Sequence, residues 1–313
     1  MKPLKLVVMI PAYNEEETIE KVIRSVPRRI PRISSVEVLV IDDGSTDATA
    51  ERALRNRVTV VRNTRNRGLG ATFQRGLDAA LAMGADIIVN TDADDQYDQA
   101  QIPDLIAPIL DGRADIVLGS RFRGHIEHMP LRKRLGNRFA TFAVRAVSGV
   151  PVSDAQTGFR AFSREAALRT QVQSTYTYTQ ETILQAAAHH LAVTEIPATF
   201  KKRAGESRLI SSLFTYAKHA GLTLLKGSLN YRPLKVFLFI GAIFFLLGFA
   251  LGVRVLAHYL ATGLVTPYLP SAILTAILII FGFQIIVIGL IAEMIKQQRA
   301  VNEENLYIAK SRR

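Results

Sequence analysis

The chain contains no cysteine and no tryptophan. Without thiols it can hold neither a disulfide framework nor a thiolate site, which suits a site facing the cytoplasm. Acids are scarce beside bases: 27 Asp and Glu stand against 39 Lys and Arg, for a net charge of +12 and a pI of about 10.1. Such a balance favours an anionic partner among nucleic acid, lipid head groups and phosphorylated substrates. Nucleic acid ranks last, because no recognisable binding motif is present. Internal repeats and low-complexity segments are also missing. Residues 4–10 are apolar but run into Pro-Ala-Tyr-Asn-Glu with no cleavage-like site, so they read as a first strand rather than a signal peptide.

Composition changes sharply near residue 234. Residues 236–253 are an uncharged apolar run of 18, extendable across Arg254 to 257, and residues 271–292 are a second run of 22 in which Gln284 is the strongly polar group. Each suffices for a hydrocarbon core about 30 Å thick. A helix that is apolar all round needs lipid or a large protein core. The connection, 258–270, has no acidic residue, lysine or arginine, whereas Arg232 and Lys235 precede the first run and Lys296 and Arg299 follow the second. Positive charge on both outer ends places them, and the domain before them, in the cytoplasm. The expected organisation is a cytosolic domain over 1–208, a juxtamembrane interfacial helix over 209–233, spans at 234–257 and 271–295, and a cytosolic tail at 296–313.

Within the first domain, short apolar runs at 4–10, 36–41, 58–61, 86–90 and 115–118 have strand length. Helical patterns alternate with them at 15–26, 47–54, 69–83, 102–110 and 131–147. The alternation predicts an α/β fold, a Rossmann-like, mostly parallel sheet with helices on both faces. Asn14 and Glu17 have the spacing of a capping box opening the first helix. Residues 191–200 suit a further strand and 201–208 a basic loop. Residues 209–230 mix Leu213, Phe214 and Tyr216 with Lys218, His219 and Lys226, as a helix lying in the membrane interface does.

Three loops carry the chemistry: 11–15, 42–47 and 91–96. Each follows a strand, and parallel strands put all three on one edge of the sheet, where open α/β sheets bind ligands. Asp92 and Asp94 flank Ala93 in a D-x-D followed by Asp95 and Gln96. Two carboxylates one residue apart grip a hard divalent cation and leave its other positions to phosphates. Gly44 allows a tight turn after Asp43, Tyr13 offers an aromatic face for a base, and Asp43 suits hydrogen bonds from a base or ribose. Glu15 and Asp47 also fit the ordinary preference of acids for a first helical turn. Arg121 follows the 115–118 strand and suits phosphate recognition at the same edge. His125 and His128 lack a spaced third ligand for zinc.

Taken together, residues 11–15, 42–47, 92–96, Gly119-Ser120-Arg121, 154–160 and 203–208 resemble the family 2 glycosyltransferases of the GT-A fold. Within these the chain is most similar to the dolichol-phosphate mannose synthase and bactoprenol glucosyltransferase group, and its two-span anchor looks like the shorter bactoprenol type. What the resemblance implies is inverting transfer of one sugar from a nucleoside diphosphate sugar to a polyprenyl phosphate, with Mg²⁺ or Mn²⁺. Pro11, Tyr13, Glu15 and Asp43 would hold the nucleoside; Asp92, with Ala93 beside it, would touch the sugar nucleotide; Asp94 and Gln96, with Asp92, would hold the metal. Arg203 and Arg208 bracket a Gly-Glu-Ser loop that would close over the diphosphate, or else form a basic patch for anionic lipid. Arg132 and Arg134, in a run with Lys133 and Arg138, are candidates for the acceptor phosphate. Asp154 is the catalytic candidate beside Asp94 and Arg121, as proton acceptor or as positioner of the acceptor. A phosphate acceptor is already largely dianionic at neutral pH, so it has little need of a base.

Three positions depart from the group's pattern. Thr177 stands where relatives carry a lysine four residues before the acid at Glu181, Gly136 where a serine is frequent, and Thr46 where mannose synthases have proline. A processive polysaccharide synthase would carry Gln-x-x-Arg-Trp and more spans, and a chain without tryptophan cannot. A catalytically silent nucleotide-sugar-binding scaffold is the rival of another class, and the intact Asp43, Asp92, Asp94 and Arg121 argue against it. The expected partners are the nucleotide sugar, the polyprenyl lipid and the membrane, without nucleic acid; a homo-oligomer stays open.

Overall fold

A computed structural model of the chain describes residues 3–174, 178–202 and 233–311. Seven strands form one sheet: β1 (Leu4–Ala12), β2 (Ile33–Asp42), β3 (Thr59–Arg62), β4 (Ile87–Asn90), β5 (Ile116–Ser120), β6 (Arg160–Ser163) and β7 (Val193–Pro197), in the order β3-β2-β1-β4-β6-β5-β7. The helices around it are α1 (Ile19–Ser25), α2 (Thr49–Arg55), α3 (Leu69–Ala82), α4 (Ile102–Leu110), α5 (Leu131–Ser148), α6 (Arg164–Arg169) and α7 (Thr179–Ala188). This is the Rossmann-like GT-A architecture expected from the alternation.

The sheet is buried on both faces, so its strands read as continuous apolar runs. Side chains still alternate along each strand. Leu6, Val8 and Ile10 of β1 join one core with Val22 and Ile23 of α1 and Leu105 and Ile106 of α4. Val7 and Met9 face the other way, into a core with Phe73 and Leu77 of α3 and Ile183 of α7.

All neighbouring strands run parallel except β6, which is antiparallel to both β4 and β5. Strands β1, β2, β4 and β5 therefore leave the sheet at one edge, and β6 enters it there. The residues before β6 fall between the loops after β4 and β5. That single reversal organises the site.

The capping box does not form. Asn14 takes a left-handed φ of 54°, and its Oδ1 accepts from the Thr46 amide at 2.9 Å. With that oxygen committed across the loops, the chain makes a further turn and α1 begins only at Ile19, with Thr18 as its cap.

The hairpin consists of α8 (Pro233–Thr262) and α9 (Leu269–Ser311). Both are long and apolar enough to cross a bilayer, and little of either apolar stretch is buried by protein. They run beyond the expected 234–257 and 271–295: α8 continues through 258–262, and α9 opens at Leu269 and continues through the charged 296–311 segment. The two helices meet at glycines: a Cβ on Gly241 would lie 2.8 Å from the Gly282 carbonyl oxygen, and one on Gly289 would lie 2.6 Å from the Phe237 Cβ. Small residues at such crossings allow the close backbone approach that packs helices in lipid. The chain is thus membrane-anchored, and its flanking basic residues put the catalytic domain on the cytoplasmic side. The interfacial stretch expected at 209–233 lies outside the described residues, apart from Pro233 itself.

Candidate active site

The first two loops are sewn together. Ala12 pairs with Asp42 at the strand ends, and the Asp43 amide donates to the Ala12 carbonyl at 2.8 Å. Beyond the strands, Asn14 N donates to Ser45 Oγ at 3.0 Å and Glu15 N to Thr49 Oγ1 at 2.8 Å. Asp47 Oδ1 accepts from the Thr49 amide at 3.0 Å and from its hydroxyl at 2.5 Å; burial would raise its pKa, but these bonds outweigh that and hold it below the ordinary value. Gly44, at φ 72°, passes so close to Arg65 that a Cβ would lie 2.6 Å from that residue's carbonyl carbon. Tyr13 stays partly exposed beside this pair of loops.

Asp43 is buried, and its carboxylate has protein partners. Oδ1 accepts from Asn63 Nδ2 at 2.7 Å and from the Arg67 amide at 2.9 Å, while Oδ2 accepts from the Gly68 amide at 3.0 Å. It ties the second loop to the start of α3, a structural duty that the sequence did not disclose.

On the third loop, Asp94 Oδ1 accepts from the Gln96 amide at 3.2 Å. Gln96 Nε2 donates to the Lys201 carbonyl at 3.3 Å, and Gln96 O accepts from the Lys201 amide at 2.7 Å. The D-x-D loop is thereby stitched to the chain after β7. Asp95 takes a left-handed φ of 58° and pairs with Lys21 at 2.5 Å.

Next to this loop stands a buried ion pair. Arg121 Nε and Nη2 reach the two Asp154 oxygens at 2.6 and 2.8 Å, and the Arg121 amide donates to the same carboxylate at 3.1 Å. Burial would lower the arginine's pKa, but the charge of Asp154 outweighs it and raises the value. For Asp154 burial pushes upward, and the Arg121 charge more than reverses it, leaving the carboxyl below its ordinary range. Both groups are charged at neutral pH. Glu195 of β7 supports the pair from behind, its Oε1 accepting from the Ser153 and Asp154 amides at 2.8 and 3.0 Å. The Arg121 guanidinium carbon lies 5.2 Å from the centre of the Phe200 ring, and Lys133 Nζ of α5 lies 6.0 Å from that ring.

Gly158 joins the two groups of residues. Its amide donates to the Tyr97 hydroxyl at 2.9 Å, and its carbonyl accepts from Asn90 Nδ2 at 2.7 Å. Pinned on both sides, it lies so near Asp92 that a Cβ there would be 2.5 Å from either carboxylate oxygen. Tyr97 is fully buried; burial raises its pKa and keeps the hydroxyl neutral.

Residues 7–169, more than half of the chain, match the profile described as Glycosyl transferase family 2. The chain belongs to glycosyl transferase family 2. Residues 232–297 of this family 2 chain also match a profile described as the GtrB C-terminal hairpin. It is 31% identical over 211 residues to UDP-N-acetylglucosamine–dolichyl-phosphate N-acetylglucosaminyltransferase of Methanococcus voltae, covering 60% of this chain and 82% of that one. It is also 31% identical to the polyprenol monophosphomannose synthase of Mycolicibacterium smegmatis, over 64% of this chain and 78% of that protein. Among solved structures, glucosyl-3-phosphoglycerate synthase from Mycobacterium tuberculosis, in complex with Mn²⁺ and uridine-diphosphate-glucose, superposes with a TM-score of 0.56. The identity is 26%, over 72% of this chain and 79% of that one. The chain is an inverting GT-A glycosyltransferase that takes its sugar from a nucleoside diphosphate donor, and it is related to the polyprenyl- and dolichyl-phosphate sugar transferases.

Of the expected site residues in this family 2 enzyme, Pro11, Tyr13, Glu15 and Asp43 lie on the sewn pair of loops, and Asp92, Ala93, Asp94 and Gln96 on the β4 loop. Arg121 and Asp154 come together as one unit, with the arginine buried rather than reaching out at the edge. Arg132 and Arg134 are exposed on the first turn of α5. Arg203, Arg208 and Thr177 lie outside the described residues. Sequence reasoning missed Tyr97, Glu195 and the part played by Gly158, all of which act through β6 or β7. The Gly-Phe-Arg run was visible, but nothing marked it as entering an antiparallel strand. Arg160 is buried and spends its donors on the Thr157, Thr179 and Ala155 carbonyls and on Thr182 Oγ1. It shapes the 154–158 loop.

Proposed function

We propose that the chain moves one hexose from a nucleoside diphosphate sugar to a polyprenyl phosphate at the cytoplasmic membrane face. One observation carries this reading. In a membrane-anchored chain, the carboxylates of Asp92 and Asp94 share a sheet edge with Arg121, and Lys133 brings the basic start of α5 to the same Phe200 ring. The named relatives that act on dolichyl phosphate or make polyprenol monophosphomannose support it. No nucleic-acid partner is assigned.

Pro11, Tyr13, Glu15 and Asp43 hold the nucleoside in this reading, and Asp92 meets the sugar nucleotide. Among the described residues no three His, Cys, Asp or Glu side chains cluster as a metal site. The set here is two carboxylates and an amide, Asp92, Asp94 and Gln96. With its Nε2 donating to Lys201 O, Gln96 has the carbonyl end of its amide as an oxygen donor. All-oxygen donors few in number fit Mg²⁺ or Mn²⁺, which share their shell with phosphates and water. A bound ion supplies charge neutralisation to a departing diphosphate.

The protein's own groups do the remaining work. A phosphate monoester has a second pKa of about 6, so the acceptor oxygen attacks as it stands. Its new bond to the anomeric carbon forms on the face opposite the diphosphate. The bond from that carbon to the diphosphate oxygen breaks, and its electron pair leaves with the nucleoside diphosphate. The barrier is the approach of two anions, which cations lower. Arg121 keeps Nη1 for a phosphate while Asp154 holds its other nitrogens, which makes Asp154 a positioning residue rather than a base. Arg132 and Arg134 receive the acceptor phosphate. Arg203 and Arg208 are assigned to the diphosphate from the sequence alone.

The test is incubation of the purified chain with polyprenyl phosphate, Mg²⁺ or Mn²⁺, and radiolabelled UDP- and GDP-sugars in turn. Label is expected in the organic phase with one donor. Sugar released or transferred with every donor, but none of it extracted with lipid, would overturn the acceptor.

A further inference from the structure

The last turns of α9 belong with the catalytic domain, where the helix packs from Leu306 onward. Polar groups hold it there, and its apolar ones do not. Leu306 and Ile308 are exposed, whereas Tyr307 and Lys310 are half-buried. Three residues apart, these two lie on one face of the helix. Each grips a different helix of the domain. The Tyr307 hydroxyl donates to Glu165 Oε2 of α6 at 2.8 Å, and the Arg169 guanidinium carbon lies over its ring, 4.3 Å from the centre. Arg169 Nε also reaches Glu165 Oε1 at 2.5 Å, so the ring, the acid and the arginine hold one another. Lys310 Nζ lies 2.7 Å from Asp78 Oδ1 of α3, an oxygen that also accepts from Gln74 Nε2 at 3.1 Å.

Both of these helices lead to the site. Strand β6 runs from Ser163 straight into α6, and the loop carrying Asp154 and Gly158 stands at the strand's other end. Helix α3 begins beside Gly68, whose amide holds the Asp43 carboxylate at 3.0 Å. The Val172 amide, just past α6, already donates to Gln74 Oε1 of α3 at 2.7 Å. The tail adds a brace from outside. We propose that this tail is a strap, and that Tyr307 and Lys310 are positioning residues for sugar transfer. They hold α6 against α3, and through β6 they keep Asp154 and Gly158 in place relative to Asp43. Neither touches a substrate. A segment of the same chain needs little affinity to stay seated, because its effective concentration is high. The strap rests on the nucleotide-sugar site proposed above and is indifferent to the acceptor used.

Amide hydrogen exchange on the full chain, without substrates, reads the strap directly. Lys310→Glu sets two acids against each other, and Tyr307→Ala removes both ring and hydroxyl. Each should speed exchange of the 154–169 amides by about fivefold while leaving β1 and β2 unchanged. Asp78→Lys combined with Lys310→Glu brings opposite charges back together and should restore the original exchange. In the transfer assay each single variant should lose about fivefold in kcat with donor Kd held, and the charge swap should recover it. Unchanged exchange at 154–169 would mean that the tail rests on the domain without bracing it, which overturns the proposal. Faster exchange that the swap fails to correct overturns it too, as does faster exchange with kcat intact. Absence of transfer in the unaltered chain would fault the acceptor instead, and exchange with its rescue then decides the strap alone.

Discussion

The two halves of the site are held by different means. In the β1–β2 half, where the nucleoside is proposed to bind, the two loops are joined by neutral bonds between backbone amides and the short side chains of Ser45, Thr49 and Asn14, beside the carboxylates of Asp43 and Asp47, which accept from amides of their own. The β4–β5–β6 half rests on a buried ion pair, Arg121 with Asp154. Neutral bonds near a surface are worth about 1 kcal/mol each and fail gracefully. A buried pair fails abruptly, since losing one partner strands the other's charge. The neutral bonds of the first half should therefore tolerate change and tune affinity, whereas the ion pair of the second should tolerate little and govern rate.

The strongest test of this difference is Asp154→Asn. It should cost about 3–5 kcal/mol of stability by leaving Arg121 uncompensated, and turnover should fall with it; denaturant unfolding and the organic-phase assay measure both. A residue acting only as a base would lose turnover without the stability. The pH dependence follows in sign. Asp154's carboxyl is lowered in the folded chain, so its contribution is complete above the unfolded carboxylate value of about 3.9. It is lost as pH falls through the folded value, and Asp154→Asn should lack this part of the acid transition.

Asp94→Ala comes next, a change in rate without a change in fold. Turnover should vanish while unfolding shifts by about 1 kcal/mol, the order of a lost hydrogen bond such as the one from the Gln96 amide. EDTA should do the same to the unaltered chain, with Mn²⁺ or Mg²⁺ restoring activity. Smaller again is Gly158→Ala, whose added methyl would push on the Asp92 carboxylate. Overpacking of this kind costs about 1–3 kcal/mol, and kcat should drop by about a decade or more while donor Kd changes less. The mildest is Ser45→Ala, which removes the acceptor of the Asn14 amide. A loss of about 1 kcal/mol should raise donor Kd by about fivefold and spare kcat. Were Ser45→Ala to cut kcat as deeply as Gly158→Ala, the division into an affinity half and a rate half would be wrong.

The sequence disclosed the first half far better than the second, for a physical reason. Loops 11–15 and 42–47 follow buried parallel strands, whose apolar runs give their ends away, and the parallel rule then brings them together. Strand β6, Arg-Ala-Phe-Ser, opens on a charged arginine and runs straight into α6, so no apolar run announced it. With β6 unseen, nothing in the order of the chain could place Gly158 against Asp92 or Asp154 against Arg121. Glu195 escaped notice because an acid on a strand reads as a solvated side chain until its partners are known. The capping box at Asn14 was misjudged because local spacing competes with partners across loops, and the Thr46 amide won.

The contact between Gly241 and Gly282 has a consequence for what happens after the reaction. Two helices whose backbones touch enclose no bore, and a sugar is far too polar to slip between them and the lipid. If the proposed transfer is right, the glycosylated lipid drifts away sideways in the leaflet where it was made. Turning its sugar to the other side of the membrane is a task for a separate flippase.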